Sequence, residues 1–409
     1  MRILIYSYNY HPEPIGIAPL MTELAEGLVA QGHQVRVVTA MPNYPQRRIY
    51  EKYKGKLYLT ELENGVAIQR NYVWIRPKPG LIDRILLDAS FVLISLVHAL
   101  KGRRPDVILL TVPPLPVSVP AALLGWLHRC PVVLNLQDIL PEAAVHTGLL
   151  TNKRMIAIFE KLENFAYRTA TKISVIADGF VDNLVGKGVP KSKIRLIPNW
   201  VDVNFIQPLP KENNYFRAVH QLDGKFVVLY SGNIGRTQPL KTLIDAATCL
   251  RHIPDIAVVI VGEDKALQDL ELYCQKVDAP NVLLLPFQPR EKLPELLAAA
   301  DVGLVMQKEN VISFNMPSKI QVLLASGRAI LASVPASGTA AKAVQHSGGG
   351  VVVPPENPEA LAAAILDLYK NPDKGERLGQ QGRQYAIENY SFKHALEQYE
   401  KLFDEVRLH

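Results

Sequence analysis

Cysteine is scarce. The three residues in 409, Cys130, Cys249 and Cys274, are scattered without the paired spacing of a metal site or a disulfide framework, which leaves buried thiols in a reducing compartment. A long hydrophobic run is also lacking. Residues 89–97 make the longest near-apolar stretch, and Asp83, Arg84 and Asp88 precede it, whereas a bilayer span needs about 20 apolar residues. Aromatics are 7% of the chain and no basic stripe is interleaved with them, which sets nucleic-acid binding aside. The opening residues lack the charged n-region and cleavage site of a leader, so a cytoplasmic chain is expected. No G-x-G-x-x-G with an acid about 20 positions on is present, which argues against a nicotinamide oxidoreductase.

What the chain does have is two strand–loop–helix openings. Phe226-Val-Val-Leu-Tyr-Ser231 runs into Gly232-Asn-Ile-Gly235. Leu240, Leu243, Ile244, Ala247 and Leu250 then fall on one face at a 3.6-residue period, with Pro239 tolerated at the helix start. A strand, a glycine turn and a helix start together suit an anion, because unpaired N–H groups and the helix dipole both face the turn. One such turn is weak evidence, since many α/β proteins have them without a ligand. The N-terminus repeats the pattern: strand 2–7, a loop with Gly16, then Met21, Leu24, Ala25 and Leu28 as a stripe ending at Gly32. With 48% hydrophobic residues and a prior of about 150 residues per domain, two similar domains are expected. The boundary is expected at 205/206, in a stretch that turns polar up to Asp223; the second domain would end at 390, and the helix in 391–409 would return to the first lobe.

The second half alternates strands at 257–261, 282–285, 302–306, 329–333 and 350–353 with helical patterns, which predicts a doubly wound parallel sheet of the α/β class. In the first half, residues 41–80, rich in Pro, Tyr and basic side chains, read as an excursion from the sheet. Residues 81–100 read as a buried helix by default; Lys101, Arg103 and Arg104 behind it leave contact with an anionic membrane surface as the alternative. The net charge of +6 is diffuse and compatible with anionic substrates or such a surface. Asp138 follows the strand 132–136, and ligands of open α/β sheets bind beyond strand carboxyl ends, so it is a catalytic candidate; an N-cap for the next helix is its other reading.

The order of motifs resembles a family. Tyr10, Pro12, Glu13 and Gly16 in the first loop, Gln137-Asp138 before Pro141-Glu142, Ile197-Pro-Asn-Trp-Val-Asp202, Tyr230-Ser-Gly-Asn-Ile-Gly235, Val261-Gly262, Pro317-Ser-Lys319 before Ala325-Ser-Gly327, and Gly348-Gly-Gly350 are together similar to retaining GT-B glycosyltransferases of family 4. Within it they most resemble the branch of colanic-acid fucosyltransferases and N-acetylfucosamine transferases. The resemblance covers nearly the whole chain.

It implies two Rossmann-like domains facing a cleft, the first for the acceptor and the second for a UDP- or GDP-linked sugar, with no cofactor and no metal; no Asp-x-Asp is present. The leaving diphosphate would be stabilised by backbone amides and cations. Carried over residue by residue, Asp138 falls at the reaction centre, with Lys319 and Arg236 as candidate catalytic cations. Gly16, Ile17, Gly232, Asn233, Gly262, Phe287, Gln288, Lys308, Pro317 and Ser318 fall at donor-binding positions, and Glu13, Asn43 and Tyr44 are candidates for the acceptor. Relatives commonly carry Arg and Lys where this chain has Asn233 and Gln238, and two glutamates where it has Phe314 and Val322; the second glutamate is the one on the ribose hydroxyls. The expected acceptor is a saccharide on polyprenyl diphosphate at the inner face of the membrane. A soluble sugar or sugar phosphate, and a catalytically degenerate partner subunit, are the alternatives.

Overall fold

The structure, a computed structural model, describes residues 1–409 except Ile15, Thr147, Leu149, Arg236, Ile312, Ser313, Asn315, Leu408 and His409. The chain divides into two compact units, Met1–Pro198 with Ala395–His409, and Asn199–His394. The break thus falls ahead of 205/206. Residues Val201 and Ile206 already belong to the second unit's core, the Val201 amide donates to the Tyr390 carbonyl, and Trp200 lies on Phe392.

The first unit is built on β1 (Arg2–Tyr6), β2 (Gln34–Ala40), β3 (Tyr58–Glu63), β4 (Val66–Asn71), β5 (Val107–Val112), β6 (Val132–Leu136), β7 (Lys172–Val175) and β8 (Ile194–Leu196). They order as β3-β4-β2-β1-β5-β6-β7-β8, parallel except for β3 against β4. β5 and β6 are buried on both faces, as expected of Val- and Leu-rich runs in a parallel sheet. The helix Phe392–Arg407 adds to this unit from Ala395 onward: Asn135 Nδ2 donates to the Tyr399 hydroxyl at 2.9 Å, and Glu405 takes Lys172 and Arg195.

Residues 58–71 correct the expected excursion, because they close the sheet edge as a hairpin. Asn64 and Gly65 both have positive φ, 49° and 78°, and an Asn-Gly pair is the residue choice that a two-residue turn between twisted strands favours. The helix Leu81–Ala99 corrects a second expectation. Phe91, Ser95 and His98 turn inward, where the Ser95 hydroxyl pairs with that of Tyr6 and His98 sits between Asn71 and Thr60. The opposite stripe, Ile82, Ile85, Leu86, Leu93, Val97 and Leu100, is exposed, with Leu93 65% accessible. The neighbouring helix Ser118–His128 adds Val119, Leu123, Trp126 and Leu127, with Trp126 79% accessible. Only one side of each helix faces the sheet, so its apolar length exceeds what the core can cover. Among the described residues no helix is long and apolar enough to cross a membrane.

The second unit carries β9 (Phe226–Ser231), β10 (Ile256–Gly262), β11 (Val282–Pro286), β12 (Val302–Met306), β13 (Ala329–Ser333) and β14 (Gly350–Val353) in the order β11-β10-β9-β12-β13-β14. All neighbours pair in parallel. The order reverses at β9, whose neighbours β10 and β12 lead the sheet in opposite directions, and ligands of such sheets bind at the carboxyl end of that switch.

Candidate active site

In the second unit the loop after β9 and the segment leading into the helix Lys319–Ala325 enclose a cavity of about 420 Å³. Ser231, Gly232, Asn233 and Gln238 line one side and Pro317, Ser318 and Lys319 the other, with leucines 229, 293, 297, 304 and 323 and Val322 as the apolar wall. Gly232 has φ 143°, a backbone region that L side chains rarely adopt, and a Cβ there would lie 3.1 Å from Lys319 Nζ. The lysine side chain therefore passes directly beneath the glycine.

Lys319 is the chemical centre of this cavity. Its Nζ is shielded from solvent, finds no hydrogen-bond partner among the described residues, and sits 3.7 Å from the centroid of the Tyr230 ring. Burial without an anion disfavours the ammonium and brings its pKa down from 10.5 to about 7. Tyr230 is held in turn, its hydroxyl donating to the Asn233 carbonyl at 2.7 Å. A buried amine with a ring on one side and a glycine on the other suits an anionic guest, because an unpaired polar group in such a place costs free energy.

The other expected donor-binding residues divide. Asn233, Pro317 and Ser318 share the cavity with Gly232 and Lys319. Gly262 is buried and supports the loop from below: a Cβ there would meet Ile234 Cδ1 at 2.3 Å, so the missing side chain makes room for Ile234. Phe287 and Gln288 follow β11, beyond the cavity lining, and the Gln288 amide donates to the Pro286 carbonyl. Lys308 follows β12 and its backbone amide ties to Thr237. Gln238 accepts from the Gly235 amide at 2.9 Å and so braces the turn. Arg236 lies outside the described residues.

In the first unit Gly16 and Ile17 follow β1, Asn43 and Tyr44 follow β2, and Asp138 follows β6, all at the carboxyl edge of a parallel sheet. Gly16 is exposed with φ 66°, and Ile17 caps the helix Ala18–Ala30. Asp138 is half-buried; one carboxylate oxygen accepts from the Ile139 amide at 2.9 Å, and burial raises its pKa from the ordinary value. The next helix starts only at Glu142, so Asp138 is not its cap.

Glu13 and Asn43 depart from the acceptor-contact role expected of them. Glu13 is only 4% accessible, and its carboxylate accepts from Asn9 Nδ2 at 2.6 Å and from the Asn43 and Tyr44 amides at 2.8 and 2.9 Å. Asn43 is buried too, donating to the Met41 carbonyl. Glu13 thus positions the loop after β2 against the loop after β1, and Tyr44, 37% accessible, is the member of this group that faces solvent. Glu13→Ala leaves two backbone N–H groups without an acceptor and is expected to cost about 3 kcal/mol, read as a lower unfolding midpoint. Glu13→Gln, which keeps an amide oxygen, should cost less. The participation of Tyr230 and the leucine wall could not be read ahead, because in the sequence they are indistinguishable from strand and helix core.

Two family models cover most of the chain: the Glycosyl transferase 4-like domain matches residues 16–200 and Glycosyl transferases group 1 matches residues 212–385. The putative colanic acid biosynthesis glycosyl transferase WcaI of Escherichia coli K12 is 32% identical over 91% of this chain and 93% of its own. The chain belongs to glycosyltransferase family 4. A GDP-mannose-dependent alpha-(1-6)-phosphatidylinositol monomannoside mannosyltransferase of Mycolicibacterium smegmatis is 26% identical over 50% of this chain and 54% of its own. Among solved structures, Anabaena Alr3699/HepE in complex with UDP-glucose matches with a TM-score of 0.70 at 18% identity, over 99% of this chain and all of that one. Both units of this glycosyltransferase thus have the GT-B architecture, and its place is in glycan biosynthesis.

Proposed function

We infer that this glycosyltransferase moves a sugar from a UDP- or GDP-linked donor, with retention at the anomeric carbon and without a metal, to a saccharide carried on polyprenyl diphosphate. The observation that carries the donor half is Lys319, an unpartnered, desolvated amine beneath the Gly232 loop. A diphosphate bound there would restore its proton, since two nearby negative charges favour the ammonium. The transferred sugar's C1–O bond to phosphate breaks as the C1–O bond to the acceptor forms, and the acceptor's proton passes to the departing phosphate. Negative charge grows on that phosphate, and a preorganised ammonium stabilises it more than it stabilises the ground state. The complex of HepE with UDP-glucose on the same fold supports the donor class. Asp138 is read as the group at the reaction centre.

The lipid-linked acceptor is supported by the exposed apolar stripes of the neighbouring helices Leu81–Ala99 and Ser118–His128, with exposed Arg84, Lys101, Arg103, Arg104 and Arg129 on or just after them in the chain. Such a face suits shallow insertion beside anionic headgroups. The purified chain is expected to co-sediment with phosphatidylglycerol-rich vesicles in low salt and not with phosphatidylcholine ones, and Leu93→Asp with Trp126→Asp should abolish this. Both positions are solvent-facing, so the fold should survive. Equal partitioning to neither vesicle, with transfer to a soluble acceptor intact, would favour a sugar or sugar-phosphate acceptor.

A further inference from the structure

The wall of the cavity next to Lys319 bears on the pentose of the donor. Lys319 and Val322 are three residues apart in the helix Lys319–Ala325, so their side chains are neighbours on one face, roughly 5–6 Å apart at Cβ, and both line the cavity. Their intervening neighbours Ile320 and Gln321 are buried. In a nucleoside diphosphate the pentose is joined to the α-phosphate through O5′ and C5′, a reach of about one helical turn. With the diphosphate on Lys319 and the Gly232 loop, the sugar ring arrives over Val322. What meets it there is methyl groups: Val322, with Leu293, Leu297 and Leu323 around it. Among the described residues lining the cavity none carries a carboxylate. Nucleotide sites that read the ribose diol do so with an acid aimed at the hydroxyls.

Resting on the reading of this cavity as a nucleoside-diphosphate site, we propose that the enzyme does not read the 2′-hydroxyl of its donor, and that 2′-deoxyribonucleoside-diphosphate sugars are donors on a par with the ribonucleotide ones, with Val322 as the determining residue. A site built to bond a hydroxyl rejects the analogue lacking it by several orders of magnitude, because its own polar group is left unpaired; an apolar wall has nothing to leave unpaired and cannot discriminate in that way. Against such a wall the ribonucleotide's 2′-oxygen keeps its water at the open side of the cavity, so its removal changes little.

The test is titration calorimetry of the full chain with two pairs that differ only in the 2′-oxygen, UDP against dUDP and GDP against dGDP. For whichever base binds, the two dissociation constants are expected to agree within about twofold. Val322→Glu, and Val322→Gln as a variant that adds no charge, should each shift the ratio about tenfold toward the ribonucleotide, as one gained hydrogen bond would. A tenfold or larger ribonucleotide preference in the unaltered enzyme overturns the inference. Folded variants whose ratio stays at one overturn the assignment to Val322. Binding of none of the four nucleotides overturns the donor reading beneath it, a distinct outcome.

Discussion

Lys319→Met is expected to lower turnover by two to three orders of magnitude and, at the same time, to make the empty protein more stable. The catalytic loss follows from removing one preorganised cation from a leaving diphosphate, worth about 3 kcal/mol at the transition state. The stability gain follows from burial. Nζ has no hydrogen-bond partner among the described residues and loses its proton near pH 7 in the folded chain, against 10.5 ordinarily. Below pH 7 both folded and unfolded chains hold the proton, so the full cost of a desolvated ammonium falls on the fold. Between about pH 7 and 10.5 the unfolded chain binds more protons, so stability rises with pH and the cost fades. The methionine variant should therefore unfold later at pH 6, by on the order of 2 kcal/mol, and the advantage should shrink toward pH 10. Calorimetric scans at those two pH values, beside initial rates of nucleotide release, check both halves. A variant that turns over normally would hand the diphosphate to another cation.

Asp138→Asn is the second large effect, a fall in transfer of about two to four orders of magnitude with donor binding unchanged. The substitution keeps an oxygen for the Ile139 amide, and the helix that follows begins beyond it, so the local fold has no reason to move. The carboxylate's charge is what is lost, at a half-buried position where burial already raises its pKa. On the donor reading proposed above, nucleotide binding belongs to the cavity of the second unit and should not change. Circular dichroism and nucleotide titration alongside the rate distinguish lost chemistry from lost structure.

Much of the architecture could be read from periodicity alone. The strands of the second half were legible because parallel sheets covered on both faces demand short, near-continuous apolar runs, and residues 302–306 and 329–333 are such runs, buried throughout, with helix signals between them. The hairpin of β3 and β4 escaped because β3 is largely solvent-facing and lacks an apolar signature; its one clear mark was Asn64-Gly65. The exposed stripe on Leu81–Ala99 escaped for the opposite reason, since an apolar helix reads the same whether protein or something else covers it. At the site, the Gly232 loop stood out by residue type, and the Pro-Ser-Lys turn by the family resemblance. Glu13 stood out too, but sequence does not show that its carboxylate is already taken by backbone amides. Tyr230 beneath Lys319 could not be seen, because a buried tyrosine in a strand is ordinary until its neighbour is known.

The central claim is that the cavity under Gly232 holds a nucleoside diphosphate on Lys319, and thermal unfolding of the purified chain with saturating UDP, GDP, ADP or CMP tests it most directly. A ligand at about 100 times its dissociation constant adds roughly 2.7 kcal/mol to the folded state. A raised midpoint is expected with UDP or GDP, little with CMP, and no shift in Lys319→Met. No shift with any nucleotide in the unaltered chain would contradict it, and would make the protein a degenerate lobe pair instead of a transferase.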